Sequence, residues 1–234
     1  MFCNLVKITW YHKAIPSIFI SQIICPFMQI CEIFHSIQGE GKDIGLPTIF
    51  VRTAGCNLRC EWCDTKYAWK GGEEIEIEKI KEKLDEIECY RVCITGGEPL
   101  LQKGTLELVD ILLPTYEVSI ETNGSLDISK IVEKDLRVSM DYKTPSSKMD
   151  QEMREDNLDL LREKDQLKFV ISSREDYEFS VDVLKSFDLR CDIIFQPEES
   201  FDIKELAESV LDDGLEVRVL PQLHKVIWGH KERV

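Results

Sequence analysis

Three closely spaced cysteines are the residues of this sequence best suited to chemistry. Cys56, Cys60 and Cys63 form a C-x3-C-x2-C pattern in the segment GCNLRCEWCDT, which follows the apolar run TIFVRTA. The spacing is short enough for three thiolates of one loop to bind one metal centre. A structural zinc site takes four ligands, usually as two separated pairs, and no second pair follows in this sequence. Three thiolates suit a 4Fe–4S cluster with one iron open to a further ligand, so we predict an iron–sulfur site and keep zinc as the alternative.

Polar or glycine-containing segments follow several other apolar runs. Gly96-Gly97-Glu98-Pro99 ends the run VCIT, and similar junctions occur at residues 121–124, 141–143 and 196–199. Glycines at such a junction allow a ligand to approach the backbone without meeting a Cβ atom. Each junction taken alone is typical of an ordinary turn. Their shared position after consecutive apolar runs favours one common binding site.

The elements that must position these residues alternate along the chain. Apolar runs predict strands at residues 31–37, 48–53, 91–95, 117–121, 137–141, 166–171, 191–195 and 216–220, and helical periodicity predicts helices at 76–87, 101–112, 128–132, 175–187 and 203–211. Near-continuous apolar strands separated by helices are typical of an α/β fold with a mostly parallel sheet. About six βα units are too few for a complete eight-fold barrel, so we predict an open, partial TIM-like barrel. Ligands of such folds bind at the carboxyl ends of the strands, where the polar junctions lie.

Composition narrows the class of protein. A chain of 234 residues fits one domain or at most two. It contains 44 Asp and Glu against 29 Lys and Arg, and this net charge of −15 disfavours nucleic acid as a partner. Nine cysteines, an odd number in a chain this long, are not typical of a secreted disulfide scaffold. We therefore expect a cytoplasmic protein with reduced thiols and no association with membranes.

The first 27 residues differ from the rest, because they contain two lysines, no acid and an apolar stretch. Pro16 and Pro26 interrupt that stretch, which is also too short to span a bilayer comfortably. A signal peptide is one interpretation. We favour the other, in which translation begins at Met28, residues 1–27 are a non-native or disordered extension, and residues 28–234 form a single domain.

The cysteine pattern, with Trp62 as the aromatic residue before Cys63, resembles the signature of the radical S-adenosylmethionine enzymes, and the GGEP segment resembles a second motif of that superfamily. The resemblance implies a 4Fe–4S cluster bound by Cys56, Cys60 and Cys63. It also implies that S-adenosylmethionine binds the open iron and is split to a 5′-deoxyadenosyl radical. The cofactor contacts implied are Trp62, Cys63, Asp64, Gly97, Glu98, Asp141, Tyr142, Lys143, Gln196, Pro197, Glu198 and Glu199.

A narrower resemblance runs from about residue 28 to residue 229. The segments EIFHSIQGEG at 32–41, CDT at 63–65 and PQLHK at 221–225 resemble those of the 7-carboxy-7-deazaguanine synthases, enzymes of queuosine and archaeosine (7-deazapurine) biosynthesis. The resemblance implies radical ring contraction of 6-carboxy-5,6,7,8-tetrahydropterin, with hydrogen abstraction at C6, loss of ammonia and a requirement for Mg2+. The implied substrate contacts are Ile37, Gln38, Gly39, Glu40, Arg52, Thr95 and His224, and Thr65 is the implied Mg2+ contact.

Several of these residues have simpler interpretations. Arg52 fits a clamp on the substrate carboxylate, with a surface ion pair as the alternative. Thr65 fits a Mg2+ contact or a helix N-cap, and His224 fits a substrate contact or a structural residue. In some relatives, as the resemblance suggests, the chain ends near the position of His230 and its terminal carboxylate contacts substrate. Four residues follow His230 here, which puts such a role in doubt.

Two other functions remain open from the sequence. A glycyl-radical activating enzyme shares the cysteine spacing but requires a protein partner and does not require the IQGEG segment. A zinc-binding interaction module would have no radical chemistry. The resemblance further implies a homodimer and an electron donor such as flavodoxin or ferredoxin.

Overall fold

The computed structural model describes residues 27–231, which form nine strands and six α-helices. The strands are β1 (Phe27–Ile37), β2 (Pro47–Thr53), β3 (Glu73–Glu76), β4 (Arg91–Gly96), β5 (Glu117–Thr122), β6 (Arg137–Asp141), β7 (Gln166–Ile171), β8 (Asp192–Pro197) and β9 (Arg218–Val219). The helices are α1 (Ile77–Asp85), α2 (Thr105–Leu112), α3 (Ser129–Val132), α4 (Arg174–Ser186), α5 (Ile203–Asp212) and α6 (Leu223–Trp228). Short 3-10 helices cover Lys66–Trp69, Pro99–Leu101, Pro145–Ser147, Asp150–Glu152 and Glu155–Leu160.

All nine strands belong to one sheet with the order β3-β1-β2-β4-β5-β6-β7-β8-β9. From β2 to β9 the neighbouring strands are parallel, and β1 is antiparallel to both β2 and β3. Because the spatial order from β4 onward follows the chain order, the crossovers all advance in one direction. This winding is that of a barrel, whereas a doubly wound sheet reverses direction. Since β3 and β9 remain the two edges, the predicted open barrel is confirmed.

Alternation along β7 shows how the sheet separates its two faces. Leu167, Phe169 and Ile171 are fully buried on the face that contributes to the apolar core. Lys168 and Val170 point the other way and line a cavity on the inner face. Helix α1 covers the sheet with Ile77, Ile80 and Leu84, which follow helical spacing. The apolar core therefore lies mainly between sheet and helices, and the inner face is left for polar chemistry.

The structure differs from the sequence prediction mostly at the boundaries of elements. The predicted strands at 137–141 and 166–171 coincide with β6 and β7. Helix α2 begins at Thr105 rather than at residue 101, because residues 99–101 form a separate 3-10 helix after Pro99. Strand β3 and helix α6 were not predicted, since both are short and lack a clear apolar period.

The described residues begin at Phe27. The N-terminal segment of residues 1–27, which was interpreted from the sequence, therefore lies outside them except for Phe27. Across the described range, no helix is both long and apolar enough to cross a membrane.

Candidate active site

A cavity of about 580 Å³ lies on the inner face, at the carboxyl ends of the parallel strands. Its wall is formed by the turn after β1, the long loop after β2, the junctions after β4, β5, β6 and β8, and the C-terminal segment. Most of the residues singled out from the sequence meet in this cavity: Ile37, Gln38, Gly39, Glu40, Arg52, Cys56, Cys60, Trp62, Cys63, Asp64, Thr65, Thr95, Gly97, Asp141, Lys143, Gln196, Glu198, Glu199 and His224.

The three cysteines lie on the loop that leaves β2 and are free thiols. The side-chain amide of Asn123 and the backbone N–H of Leu58 point at Cys56 Sγ, at 3.8 Å and 3.4 Å. Burial raises the pKa of the Cys60 thiol to about 11, so a metal must displace the proton on binding. No three His, Cys, Asp or Glu side chains of residues 27–231 surround a single ion position. A four-iron cluster is larger than one ion, so three thiols that face one cavity fit it without converging on one point.

The double glycine at the end of β4 packs directly against the start of the cysteine loop. Gly97 N–H donates to Thr53 O at 3.0 Å, and Glu98 N–H donates to Gly55 O at 2.8 Å. A Cβ atom at Gly97 would lie 2.1 Å from Gly55 O, so any side chain there would displace the loop. The glycine is therefore required for close approach of two backbones at the cavity wall.

Three residues predicted to contact the cofactor do not line the cavity. Glu98 is fully buried, and its carboxylate accepts from Leu100 N–H, Thr122 Oγ1 and Asn123 N–H at 2.7–2.9 Å. Tyr142 packs against Phe169 and Phe179 in the core, and Pro197 ends β8. The Glu98 carboxylate therefore joins the segment after β4 to the end of β5. The Tyr142 ring packs between β7 and α4.

Gln196 is fully buried on β8 and faces the cavity. Within the described chain, neither its Nε2 nor its Oε1 atom has a hydrogen-bond partner. A buried amide without partners is costly, and here it offers one donor face and one acceptor face to a ligand. The adenine ring, for which Gln196 was predicted, has the complementary edge.

The opposite part of the cavity holds two carboxylates. Glu121 accepts from Gln38 Nε2 at 3.1 Å and from Thr95 Oγ1 at 2.7 Å. Glu40 pairs with Lys168 and accepts from Gln222 Nε2 at 2.9 Å. Sequence reasoning assigned no individual role to Glu121 and missed Lys168 and Gln222. A lysine in the middle of the apolar strand QLKFVI was the one available signal for Lys168.

Arg52 and His224 also line the cavity, where Arg52 interacts electrostatically with Glu121 and His224 with Glu40. Arg52 Nε donates to Glu32 Oε1 at 2.7 Å, and its side chain is only 17% exposed, so the pair is a buried one rather than the alternative surface pair. The C-terminal segment packs on the turn after β1, where Leu223 N–H donates to Gly39 O at 2.9 Å. A Cβ atom at Gly39 would lie 2.3 Å from His224 Nδ1. Glycine at this position lets the histidine ring reach the cavity.

Thr65 occupies the N-cap position of the 3-10 helix Lys66–Trp69 but makes no capping hydrogen bond. Its hydroxyl donates to Asp64 Oδ1 at 2.7 Å. The pair therefore presents neighbouring hydroxyl and carboxylate oxygens at the cavity, which are ligands of the kind that Mg2+ prefers.

Comparison with known proteins agrees with this arrangement. Residues 50–183 match the model of the radical SAM superfamily. A 7-carboxy-7-deazaguanine synthase of Thermoplasma acidophilum is 45% identical over 204 residues, which are 86% of this chain and 98% of that protein. The chain belongs to the 7-carboxy-7-deazaguanine synthase family. A synthase of Koribacter versatilis is 37% identical over 86% of this chain and 97% of its own length. The crystal structure of QueE from Escherichia coli matches with a TM-score of 0.71 and 25% identity, over 85% of this chain and 95% of that one.

Membership of the 7-carboxy-7-deazaguanine synthases decides between the functions left open by the sequence. The cofactors of this radical SAM family are a 4Fe–4S cluster and S-adenosylmethionine, so the zinc module is wrong for this chain. The relatives are 7-carboxy-7-deazaguanine synthases and not glycyl-radical activating enzymes. In this synthase fold the three cysteines, the double glycine and the buried Gln196 amide occupy one cavity and fit both cofactors.

Proposed function

We propose that this chain converts 6-carboxy-5,6,7,8-tetrahydropterin to 7-carboxy-7-deazaguanine, with loss of ammonia, on the route to 7-deazapurines. Relatives that match nearly their whole length carry that enzyme name. The observation that carries the proposal is that one cavity joins the three thiols to a second group of polar residues suited to a pterin.

Cys56, Cys60 and Cys63 would hold the 4Fe–4S cluster, and the same cavity would hold S-adenosylmethionine. When bound, the cluster and S-adenosylmethionine supply the radical that removes hydrogen from C6 of the substrate. The Gln196 amide reads the adenine edge, and the close packing of Gly97 on Gly55 fixes the start of the cysteine loop beside the cofactor. Lys143, which pairs with Asp141 at 2.8 Å and lies 5.1 Å from the centre of the Trp62 ring, closes this part of the cavity.

The carboxylates orient the substrate. A pterin presents neighbouring N–H donors on its pyrimidine edge. The Glu40 carboxylate and the backbone carbonyl oxygens of Gln38 and Gly39 supply hydrogen-bond acceptors for these donors. Arg52 uses Nε for Glu32, so its terminal nitrogens can clamp the substrate carboxylate. Thr65, with Asp64, supplies hard oxygen ligands to Mg2+, whose remaining ligands are water and substrate.

The reaction class requires a one-electron reductant, and we assign that part to a flavodoxin or ferredoxin. The relatives support this only through the shared radical chemistry. We further propose a homodimer, on the family resemblance. A reducing compartment such as the cytoplasm is supported by six cysteines that are free thiols, namely Cys56, Cys60, Cys63, Cys89, Cys93 and Cys191.

The experiment is an anaerobic turnover assay. Reconstituted protein is mixed with S-adenosylmethionine, dithionite and the carboxytetrahydropterin, with and without Mg2+. We expect 7-carboxy-7-deazaguanine and ammonia in equal amounts, faster with Mg2+. Cleavage of S-adenosylmethionine without any deazapurine product would refute the assigned substrate.

A further inference from the structure

Lys168 is a buried cation in the cavity wall, and no role was predicted for it from the sequence. It lies on β7, its side chain is 9% exposed, and it points to the inner face between apolar neighbours that point to the core. A charge in such a place is expensive unless it is paired. Because Lys168 lies in the middle of a strand and not in a loop, its backbone also holds the base of the side chain in a fixed position.

Two carboxylates share the Lys168 ammonium. Glu40 Oε2 pairs with it directly, and Asp141 Oδ2 lies 3.7 Å away. Asp141 in turn pairs with Lys143 at 2.8 Å, beside Trp62. Alternating charges therefore run from the part of the cavity assigned to substrate to the part assigned to cofactor.

Glu40 is held from two sides that are far apart in the chain. Lys168 binds Oε2, and Gln222 Nε2 donates to Oε1 at 2.9 Å from the C-terminal segment. Burial alone would raise the pKa of Glu40, but the Lys168 ammonium and His224 outweigh burial and hold that pKa well below its usual range. Each carboxylate oxygen retains a further lone pair, so the ionised group still accepts from a ligand.

We propose that Lys168 is a positioning residue: its buried ion pair fixes the Glu40 carboxylate in the orientation that accepts the N–H donors of the substrate ring. The proposal rests on the proposed function and adds the residue on which substrate recognition depends. Without the ammonium, Glu40 would rotate towards water or take up a proton, and a protonated acid offers one fewer acceptor. Lys168 acts through Glu40 rather than by touching substrate.

A double-mutant cycle on substrate affinity tests this mechanism. The proteins are the wild type, Glu40→Gln, Lys168→Met and the double variant, each reconstituted with cluster. Binding of the carboxytetrahydropterin is measured by anaerobic calorimetry with S-adenosylmethionine present and no reductant, so that no turnover occurs. Affinity for S-adenosylmethionine is measured separately.

We expect each single variant to bind the carboxytetrahydropterin on the order of 10-fold more weakly or worse, as for loss of a charged hydrogen bond. The double variant should bind no more weakly than Glu40→Gln, and affinity for S-adenosylmethionine should change little. Lys168→Arg should recover most of the affinity. Lys134→Met, which breaks the Lys134–Asp110 pair outside the cavity, is the control and should bind like the wild type.

Three results would overturn the proposal. Equal losses from Lys168→Met in both backgrounds would show that Lys168 acts independently of Glu40. Parallel losses of substrate and cofactor affinity would indicate a purely structural role, and an unchanged substrate affinity would indicate no role. If Lys168→Met does not fold, Lys168→Gln replaces it in the cycle. A wild type that does not bind the carboxytetrahydropterin would refute the proposed function itself, which is a separate outcome.

Discussion

Replacing Gly97 by alanine should damage the cysteine loop without touching a cysteine. The added Cβ atom would lie 2.1 Å from Gly55 O and 2.5 Å from Gly55 C, and 3.1 Å from Ala68 O. These are backbone atoms, so no side chain can rotate away. To bring the added Cβ atom to 3.0 Å from Gly55 O, the two backbones must separate by about 0.9 Å. Gly55 is the residue that directly precedes Cys56.

Overpacking of this kind typically costs about 1–3 kcal/mol, and more when the backbone must move. For a chain of this size that predicts a fall in Tm of about 2–12 °C. The Gly97 backbone does not have a positive φ, so the cost is steric rather than conformational. Because the strain falls on the loop that binds the cluster, we also expect iron content after reconstitution to drop.

The assay compares Gly97→Ala with Gly214→Ala by circular dichroism melting and by iron and sulfide analysis. Gly214 has φ +62° and no heavy atom within 4 Å of its would-be Cβ atom, so its substitution brings only backbone strain of about 1–2 kcal/mol. The control should lose stability but keep full iron. Gly97→Ala with wild-type Tm and wild-type iron content would refute the packing argument.

Three further predictions follow from single contacts. Arg52→Ala should weaken binding of the carboxytetrahydropterin by on the order of 10-fold or more and leave S-adenosylmethionine affinity nearly unchanged; equal losses in calorimetry would contradict the carboxylate clamp. Thr65→Val should reduce the stimulation of turnover by Mg2+, whereas Thr65→Ser should keep it, and an unchanged Mg2+ titration in both would remove Thr65 from the metal site. Burial would raise the pKa of Asp176, but hydrogen bonds from Ser146 N–H and Ser172 N–H outweigh it and lower that pKa. The stabilisation that ionised Asp176 contributes to the folded state is fully present above the ordinary carboxyl pKa of about 4. It is lost as the pH falls through the lower pKa that Asp176 has in the folded protein. Asp176→Asn should therefore lower Tm at pH 7 by an amount that shrinks below about pH 4, and a constant difference across the pH range would contradict this.

Sequence patterns predicted the sheet well because each parallel strand is a continuous apolar run between polar junctions. The same junctions located the cavity, since parallel strands bring their carboxyl ends to one side. Strand β3 was missed because EEIE has the composition of a solvated segment, and its pairing with β1 supplies the stability that the sequence does not show.

The individual contacts of the site were harder to predict. Glu98 lies within a motif that suggested a cofactor contact, yet its carboxylate is used by the backbone of Leu100 and Asn123. Lys168 was overlooked because lysine is ordinarily an exposed residue. Its partner Glu40 is 128 residues away, and Gln222 is 182 residues from Glu40, so only the folded chain brings the three together.

Electron paramagnetic resonance of the anaerobically reduced protein shows directly whether three cysteines hold a four-iron cluster with one iron open to S-adenosylmethionine. We expect the signal of a reduced 4Fe–4S cluster whose g-values shift when S-adenosylmethionine is added, and loss of the cluster signal in Cys56→Ala, Cys60→Ala and Cys63→Ala. Tightly bound zinc in place of iron, or a cluster signal that S-adenosylmethionine leaves unchanged, would contradict it.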